Sequence, residues 1–249
     1  VAFFTDAGNQ FAEDLTDWLQ DTRLMSEAIR RLYHQYQETG KVECSAESWP
    51  KPPKDDLPIQ EFEIKPVELA QRMDVLLRSL WRGQFVFLES LWEEYLQNLV
   101  LELRLRDASV FEPFCEKDYM AGVVRDILSG RLSSIDEIKD EAAARFAAGI
   151  TRQPWRDQWT QLARLEIGLS SEDSEEQWYP RLDEYFEMRN CIVHRQGQVS
   201  DLLHQKTDYY KAKSQDVIEI WPTHLDFYRR RFIECVAFIE SKIQAKYGT

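Results

Sequence analysis

The sequence predicts an all-α protein, a helical bundle or array with at most a short strand near 217–221. Three observations carry this. Apolar residues recur at helical spacing through most of the chain. The candidate helices begin and end on recognisable signals of proline, serine and glycine. Only one short stretch, Val217-Ile218-Glu219-Ile220-Trp221, alternates with a period of two, and Pro222 ends it.

The elements follow in order. Residues 11–38 place Phe11, Leu15, Trp18, Leu19, Leu24, Ile29 and Leu32 near helical spacing, and Gly40 marks the stop. Residues 41–65 hold Pro50, Pro52, Pro53 and Pro58 among many charges and read as a linker. On this reading 1–40 is an accessory N-terminal helix, 41–65 a Pro-rich linker, and 66–249 the main helical domain. Pro66 suits a first helical position because its missing N–H costs nothing there, and the helix it opens runs to about 105. Gly83 either bends that helix or lets a neighbour come close. The half after Gly83 is apolar nearly all round, which predicts a buried central helix, with Glu94 facing solvent.

Further helices are expected at 114–128, 134–148 and 154–169. Ser134 with Glu137 three residues on forms a capping-box pattern. Residues 170–176 are an acidic connector. Another helix runs from about 176 or 180 to 195, with Gly197 as its stop. Residues 199–216 read as loop with short helical turns. Thr223 is a candidate cap, with Asp226 completing its box, for a last helix over 225–245. No repeat of solenoid period is present.

Composition narrows the function classes. The chain is 43% hydrophobic and 30% charged, which is globular, and its eight Trp suggest aromatic anchors in a core or an interface. Cys44, Cys115, Cys191 and Cys235 are scattered without CxxC spacing, so neither a zinc site nor a disulfide framework is expected. No signal peptide or membrane span is readable, and the expectation is a cytoplasmic protein with reduced thiols, without membrane, metal or cofactor. A net charge of −13 argues against a general nucleic-acid coating protein. The charge is uneven, however. Between 189 and 231 eight Lys/Arg stand against five Asp/Glu, so the least acidic part of the chain favours a local phosphate site.

That part opens with Arg189-Asn190-Cys191-Ile192-Val193-His194, followed by Gly197. Arginine offers a permanent cation with a planar fork of donors suited to phosphate. Histidine exchanges protons near neutral pH. Together they are the groups needed to cut a phosphodiester without a metal, and the chain has only four His. On a helical wheel Arg189 falls within an apolar stripe of Trp178, Leu182, Tyr185, Ile192 and Val193. A charge there requires a carboxylate partner, a phosphate or a hydrated interface. His194 lies roughly 140° away, one turn from Asn190, in the last turn where the helix dipole favours imidazolium. The two side chains diverge from one ideal helix. They converge only if the helix end distorts or two copies of the helix meet about a twofold axis.

The spacing alone is unspecific, but its surroundings sharpen it: Asn directly after Arg, an apolar pair before His, Gly three residues after, and the placement at a helix end. With these residues the chain resembles the Arg-polar-x3-His signature of the HEPN superfamily of helical nucleases and nucleotide-binding domains. The stretch from Phe87 to Leu96 is similar to the buried helix with a Glu-x-aromatic-Leu pattern in RiboL-PSP-type HEPN proteins, and the resemblance covers about 66–246. It implies a HEPN-like bundle that forms a homodimer. It implies a metal-independent endoribonuclease, a toxin or antiviral defence effector, that cuts RNA by 2′-hydroxyl attack to leave 2′,3′-cyclic phosphate ends. Under the resemblance His194 is the general acid or base, Arg189 holds the phosphate, and Asn190 orients His194 or bonds the phosphate. Arg195 and Gln196 contact substrate, and Glu93 anchors Arg189. RNA is the expected substrate, DNA is not, and an antitoxin or other regulatory protein is an expected partner. Some HEPN toxins extend the motif to His-x-Tyr, where a partner nucleotidyltransferase modifies the tyrosine; Gln196 stands in that place here.

Two other readings compete. One is a non-catalytic HEPN dimer module that binds a protein or a nucleotide, favoured by the acidic surface and the 1–40 element. The other is purely structural: Arg189 and Glu93 form a buried ion pair and His194 is an ordinary helix-end residue.

Overall fold

The computed structural model describes residues 2–39, 66–107, 117–170, 173, 176, 178–206 and 217–248. Among these the fold is all-α, with eight helices: α1 (Asp6–Thr39), α2 (Pro66–Arg106), α3 (Lys117–Leu128), α4 (Ile135–Thr151), α5 (Trp155–Arg164), α6 (Trp178–His194), α7 (Asp201–Lys206) and α8 (Pro222–Tyr247). The expected linker, with Cys44, lies outside the described residues, as do Cys115 and most of the loop after α7. The alternating stretch at 217–221 does not become a strand. It contributes only an isolated antiparallel bridge between Gln198 and Val217.

The long helix α2 is the axis of the molecule and packs against α1, α4, α6 and α8. Phe85, Leu88, Leu91, Trp92, Tyr95, Leu96, Leu99, Val100 and Leu103 are all buried along it. The helix is not apolar all round, however. Phe87, Ser90, Glu94 and Gln97 form an open stripe at helical spacing, so Glu94 faces solvent as expected. Gly83 neither breaks the helix nor admits a neighbour, for a Cβ built there meets nothing within 4 Å.

The helix α1 belongs to the same core rather than standing apart as an accessory. It runs antiparallel to α2: Glu102 accepts from the Ala7 N–H, Thr22 donates to Gln84, and the Trp81 indole donates to Ser26. Phe11, Leu15 and Trp18 are buried on its inner face. Its start is tied to α8. The buried carboxylate of Glu240 accepts from the Thr5 backbone at 2.8 Å, from the Thr5 hydroxyl at 2.6 Å and from the Tyr95 hydroxyl at 3.2 Å. The Thr5 hydroxyl in turn accepts from the Gly8 N–H and so caps the helix. A Cβ at residue 8 would sit 2.8 Å from the Glu240 side chain, so glycine is what lets α1 approach this closely.

An aromatic cluster fills the centre of the bundle. Trp155 of α5 stacks on Phe186 of α6 at 5.2 Å, Trp159 meets Trp178 edge-on at 5.0 Å, and Trp92 lies between Tyr95, Trp155 and Phe232. The Trp92 indole N–H is satisfied by Gln158 at 2.9 Å. The described tryptophans are therefore core anchors in the main. Helix starts follow the sequence at α4, where the Ser134–Glu137 box forms in full. They depart from it at α8, whose cap is Trp221 and not Thr223. Pro222 takes the first helical position, and the Trp221 N–H donates to Nδ1 of His224 at 3.0 Å.

Candidate functional site

The helix α6 carries the motif, and its buried face explains the position of Arg189. Trp178, Leu182, Tyr185, Met188 and Cys191 point into the core. Val193 points outward and is 44% exposed. The buried stripe therefore drifts to Met188 and Cys191, as a 3.6-residue period requires, instead of continuing straight to Val193. Arg189 sits on the edge of that stripe with 24% of its side chain open to solvent.

Its partner is Glu89 of α2. The Arg189 Nε and the Glu89 Oε2 form an ion pair, and the Glu89 side chain is only 10% exposed. The anchor is therefore Glu89 and not Glu93. Glu93, one turn further along α2, is close enough for its ionisation to feel Arg189. Glu89 occupies the inner face because it follows Phe85 by four residues and precedes Trp92 by three. Glu93 lies on the half-buried flank.

One guanidinium thus faces two carboxylates. Burial pushes the Glu89 carboxyl up to about 7, with Arg189 pulling it down and Glu93 pushing it further up. Burial raises Glu93 as well, against the pull of Arg189. Tyr185, one turn before Arg189, donates to the Phe85 carbonyl at 2.6 Å and closes the inner side of this cluster. Its own ionisation is pushed well up by burial and then by Glu89.

On the outer side Arg189 Nη1 donates to the Asn190 side-chain oxygen at 3.2 Å. A guanidinium has five N–H groups. One faces Glu89 and one is used by Asn190, so three have no hydrogen-bond partner among the described residues. Asn190, His194, Arg195 and Gln196 are all exposed. His194 makes no hydrogen bond or ion pair to any described residue. The purely structural reading paired Arg189 with Glu93; the pair made is with Glu89, and it leaves the arginine part-open.

The helix ends as the sequence predicts, around Gly197. The Gly197 N–H reaches back to the Cys191 carbonyl at 2.9 Å, and both Gln196 (φ 56) and Gly197 (φ 83) adopt left-handed conformations. The turn is then fastened. The Ile218 N–H donates to the Gly197 carbonyl at 2.7 Å, and Arg82 of α2 donates to the Ile218 carbonyl at 2.7 Å. Ser200 donates to Glu187 at 2.9 Å and, through its hydroxyl oxygen, caps α7 at Leu203.

No protein-family model, curated protein or solved structure matches this chain. The site is therefore read from its residues. A surface hollow of about 520 Å³ lies elsewhere, between α2 and α4, lined by Leu101, Leu105 and Leu132 with Glu137, Asp140 and Glu141. It has no residue in common with the motif. Within one chain, Arg189 and His194 leave α6 on separate sides of an open surface, as their wheel angle of roughly 140° requires. No group of three or more His, Cys, Asp or Glu suited to a metal ion occurs among the described residues. No helix among them is long and apolar enough to cross a membrane. Cys191 and Cys235 are buried free thiols.

The sequence reading missed Glu89, Tyr185 and Arg82. Glu89 was legible as the acidic residue on the otherwise apolar Phe85–Leu88–Trp92 face of α2. Arg82 left no comparable trace, because its partner is a backbone carbonyl distant in the chain.

Proposed function

We infer that the protein is a metal-independent endoribonuclease that acts through Arg189 and His194. The observation that carries this reading is the state of Arg189: a cation braced from below by the buried Glu89 and part-open above, with three donors and the exposed histidine at the same helix end unpartnered among the described residues. A purely structural arginine would spend its fork on protein groups.

In the reaction, the 2′-oxygen of a ribose attacks the adjacent phosphorus and the bond to the 5′-oxygen breaks. One proton leaves the 2′-hydroxyl and one is delivered to the departing 5′-oxygen. His194 is suited to either transfer, since a neutral imidazole accepts and an imidazolium donates. Arg189 neutralises charge that builds on the phosphate oxygens, where fixed donors are worth most. Asn190 holds the guanidinium plane. Glu89 is a positioning residue that fixes the fork from the core side. Arg195 and Gln196, on the exposed turn, are placed to meet the substrate strand.

Each chain supplies one histidine to a reaction with two proton transfers. A symmetric pair of chains supplies two and brings each His194 towards the other chain's Arg189. Val193, exposed one turn beyond Arg189, provides apolar surface beside the site for such a contact. A toxin or defence role, held in check by a regulatory protein, fits an activity that must not run freely in its own cell.

The experiment is incubation of purified protein with total RNA in EDTA, with the new ends sequenced. The reading expects 2′,3′-cyclic phosphate and 5′-hydroxyl ends, absent with His194→Ala. The second reading, a non-catalytic module that binds a nucleotide or protein, is favoured by the open surface around the motif within one chain. It expects intact RNA and measurable ligand binding at Arg189.

A further inference from the structure

Trp221 stands apart from the other described tryptophans. Trp18, Trp81, Trp92, Trp155, Trp159 and Trp178 are all buried, whereas Trp221 is 41% exposed. Its position is nevertheless firmly built. It caps α8 through the bond from its own N–H to His224, and burial pulls the His224 imidazole below its ordinary range, keeping it the neutral acceptor that bond needs. Its ring lies 5.7 Å from that of Trp81, at an interplanar angle of 41°, so one side rests on the core. The Arg78 guanidinium lies 5.9 Å from its ring centroid and is itself steadied by Asp74 and Glu219.

The platform adjoins the α6 terminus. The Ile218 N–H is bonded to the Gly197 carbonyl, and Arg82 is bonded to the Ile218 carbonyl. Trp221 is three residues beyond Ile218, and Gly197 three beyond His194. At about 3.5 Å per residue, each arm is at most about 10 Å long. A strand whose phosphate lies at His194 therefore reaches Trp221 within a few nucleotides.

We propose that Trp221, with Arg78 beside its ring, is a base-stacking subsite for one unpaired nucleobase of single-stranded RNA. The proposal rests on the endoribonuclease reading and deepens it by assigning the substrate class: unpaired strand, not duplex. An exposed indole held in place by its neighbours is the chemistry that binds unpaired strands, since every base has a π-face. A base stacked on Trp221 fixes which phosphate falls at the motif.

The test uses the full chain carrying His194→Ala, so that RNA is bound but not cut, with a short single-stranded oligoadenylate as probe. Trp221→Ala is expected to weaken binding roughly 5- to 150-fold, the range for loss of one stacked base. Trp221→Phe is expected to retain most of the affinity, and binding of a duplex of matched length should not change. Because Trp221 also packs on Trp81, a second measurement guards against misfolding: oligoadenylate should quench a component of tryptophan emission that is missing in Trp221→Phe. Unchanged affinity in Trp221→Ala, binding without that quench, equal loss for the duplex, or no binding of the probe at all would each overturn the proposal. Cleavage by the wild-type chain is scored separately. Cutting with no role for Trp221 removes the subsite and leaves the nuclease; stacking without cutting does the reverse.

Discussion

Arg189 on α6 and Glu89 on α2 form an ion pair at the edge of the core, with Glu93 near enough to bias it. Two carboxylates and one guanidinium cannot all be matched, so the pair's energetics depend on whether Glu89 holds a proton. Because the folded-state carboxyl of Glu89 is raised to about 7 from an ordinary 4.5, the folded chain binds the proton more tightly than the unfolded chain. Its contribution to stability is present in full below about pH 4.5 and is lost as pH rises through about 7. The expected loss is roughly 3 kcal/mol. Urea titrations across that window should show the slope in the wild type and a flatter profile in Glu89→Gln.

Removing the arginine strands the carboxylate. Arg189→Ala is expected to lower stability by about 1–3 kcal/mol at pH 8, where Glu89 must stay charged without its partner. The deficit should shrink at pH 6, where the carboxyl takes up a proton instead. Equal losses at both values, measured by chemical denaturation, would mean that the pair does not set the energetics of this corner. Arg189→Lys keeps the charge but not the planar fork. It should spare most of the stability while reducing RNA cleavage by at least tenfold.

The turn after α6 offers a test of its backbone. Gln196 holds φ at 56°, a region that glycine enters without the penalty of a Cβ. Its side chain is exposed. Gln196→Gly is expected to stabilise the protein by about 0.5–1 kcal/mol, seen as a rise in thermal midpoint. If the Gln196 side chain also contacts substrate, the same variant will weaken RNA binding while raising the midpoint.

The N-terminal helix is part of the folding unit. Thr5→Val removes both the cap on the Gly8 N–H and the hydroxyl bond to the buried Glu240. A loss of about 1–3 kcal/mol is expected in a single cooperative transition. A separate early transition confined to α1 would show instead that it docks on the rest as an independent element.

The helices were legible because their signals are local. The Ser134–Glu137 box, Pro66 at the head of α2 and Gly197 behind α6 each act within one turn of chain. Glu94 facing out and the aromatic anchors going in also follow from spacing and hydrophobicity alone. What depended on tertiary contact was harder to read. Whether α1 packs or floats is decided by contacts with α2 and α8, both distant in the chain. The choice of Glu89 over Glu93 turns on the rotation of α2 against α6, since both lie one turn apart on neighbouring faces. The alternating stretch 217–221 forms a bridge and not a strand, because the backbone it pairs with among the described residues is the turn at Gly197–Gln198.

The most direct measurement of the central claim is RNA cleavage in EDTA by the wild type, His194→Ala and Arg189→Lys, each verified as folded by its thermal midpoint. The account predicts 2′,3′-cyclic phosphate ends from the wild type and a loss of at least 100-fold in His194→Ala, the usual scale for general acid–base catalysis. Folded wild-type protein that leaves every RNA class intact, or cutting that survives His194→Ala undiminished, would contradict it.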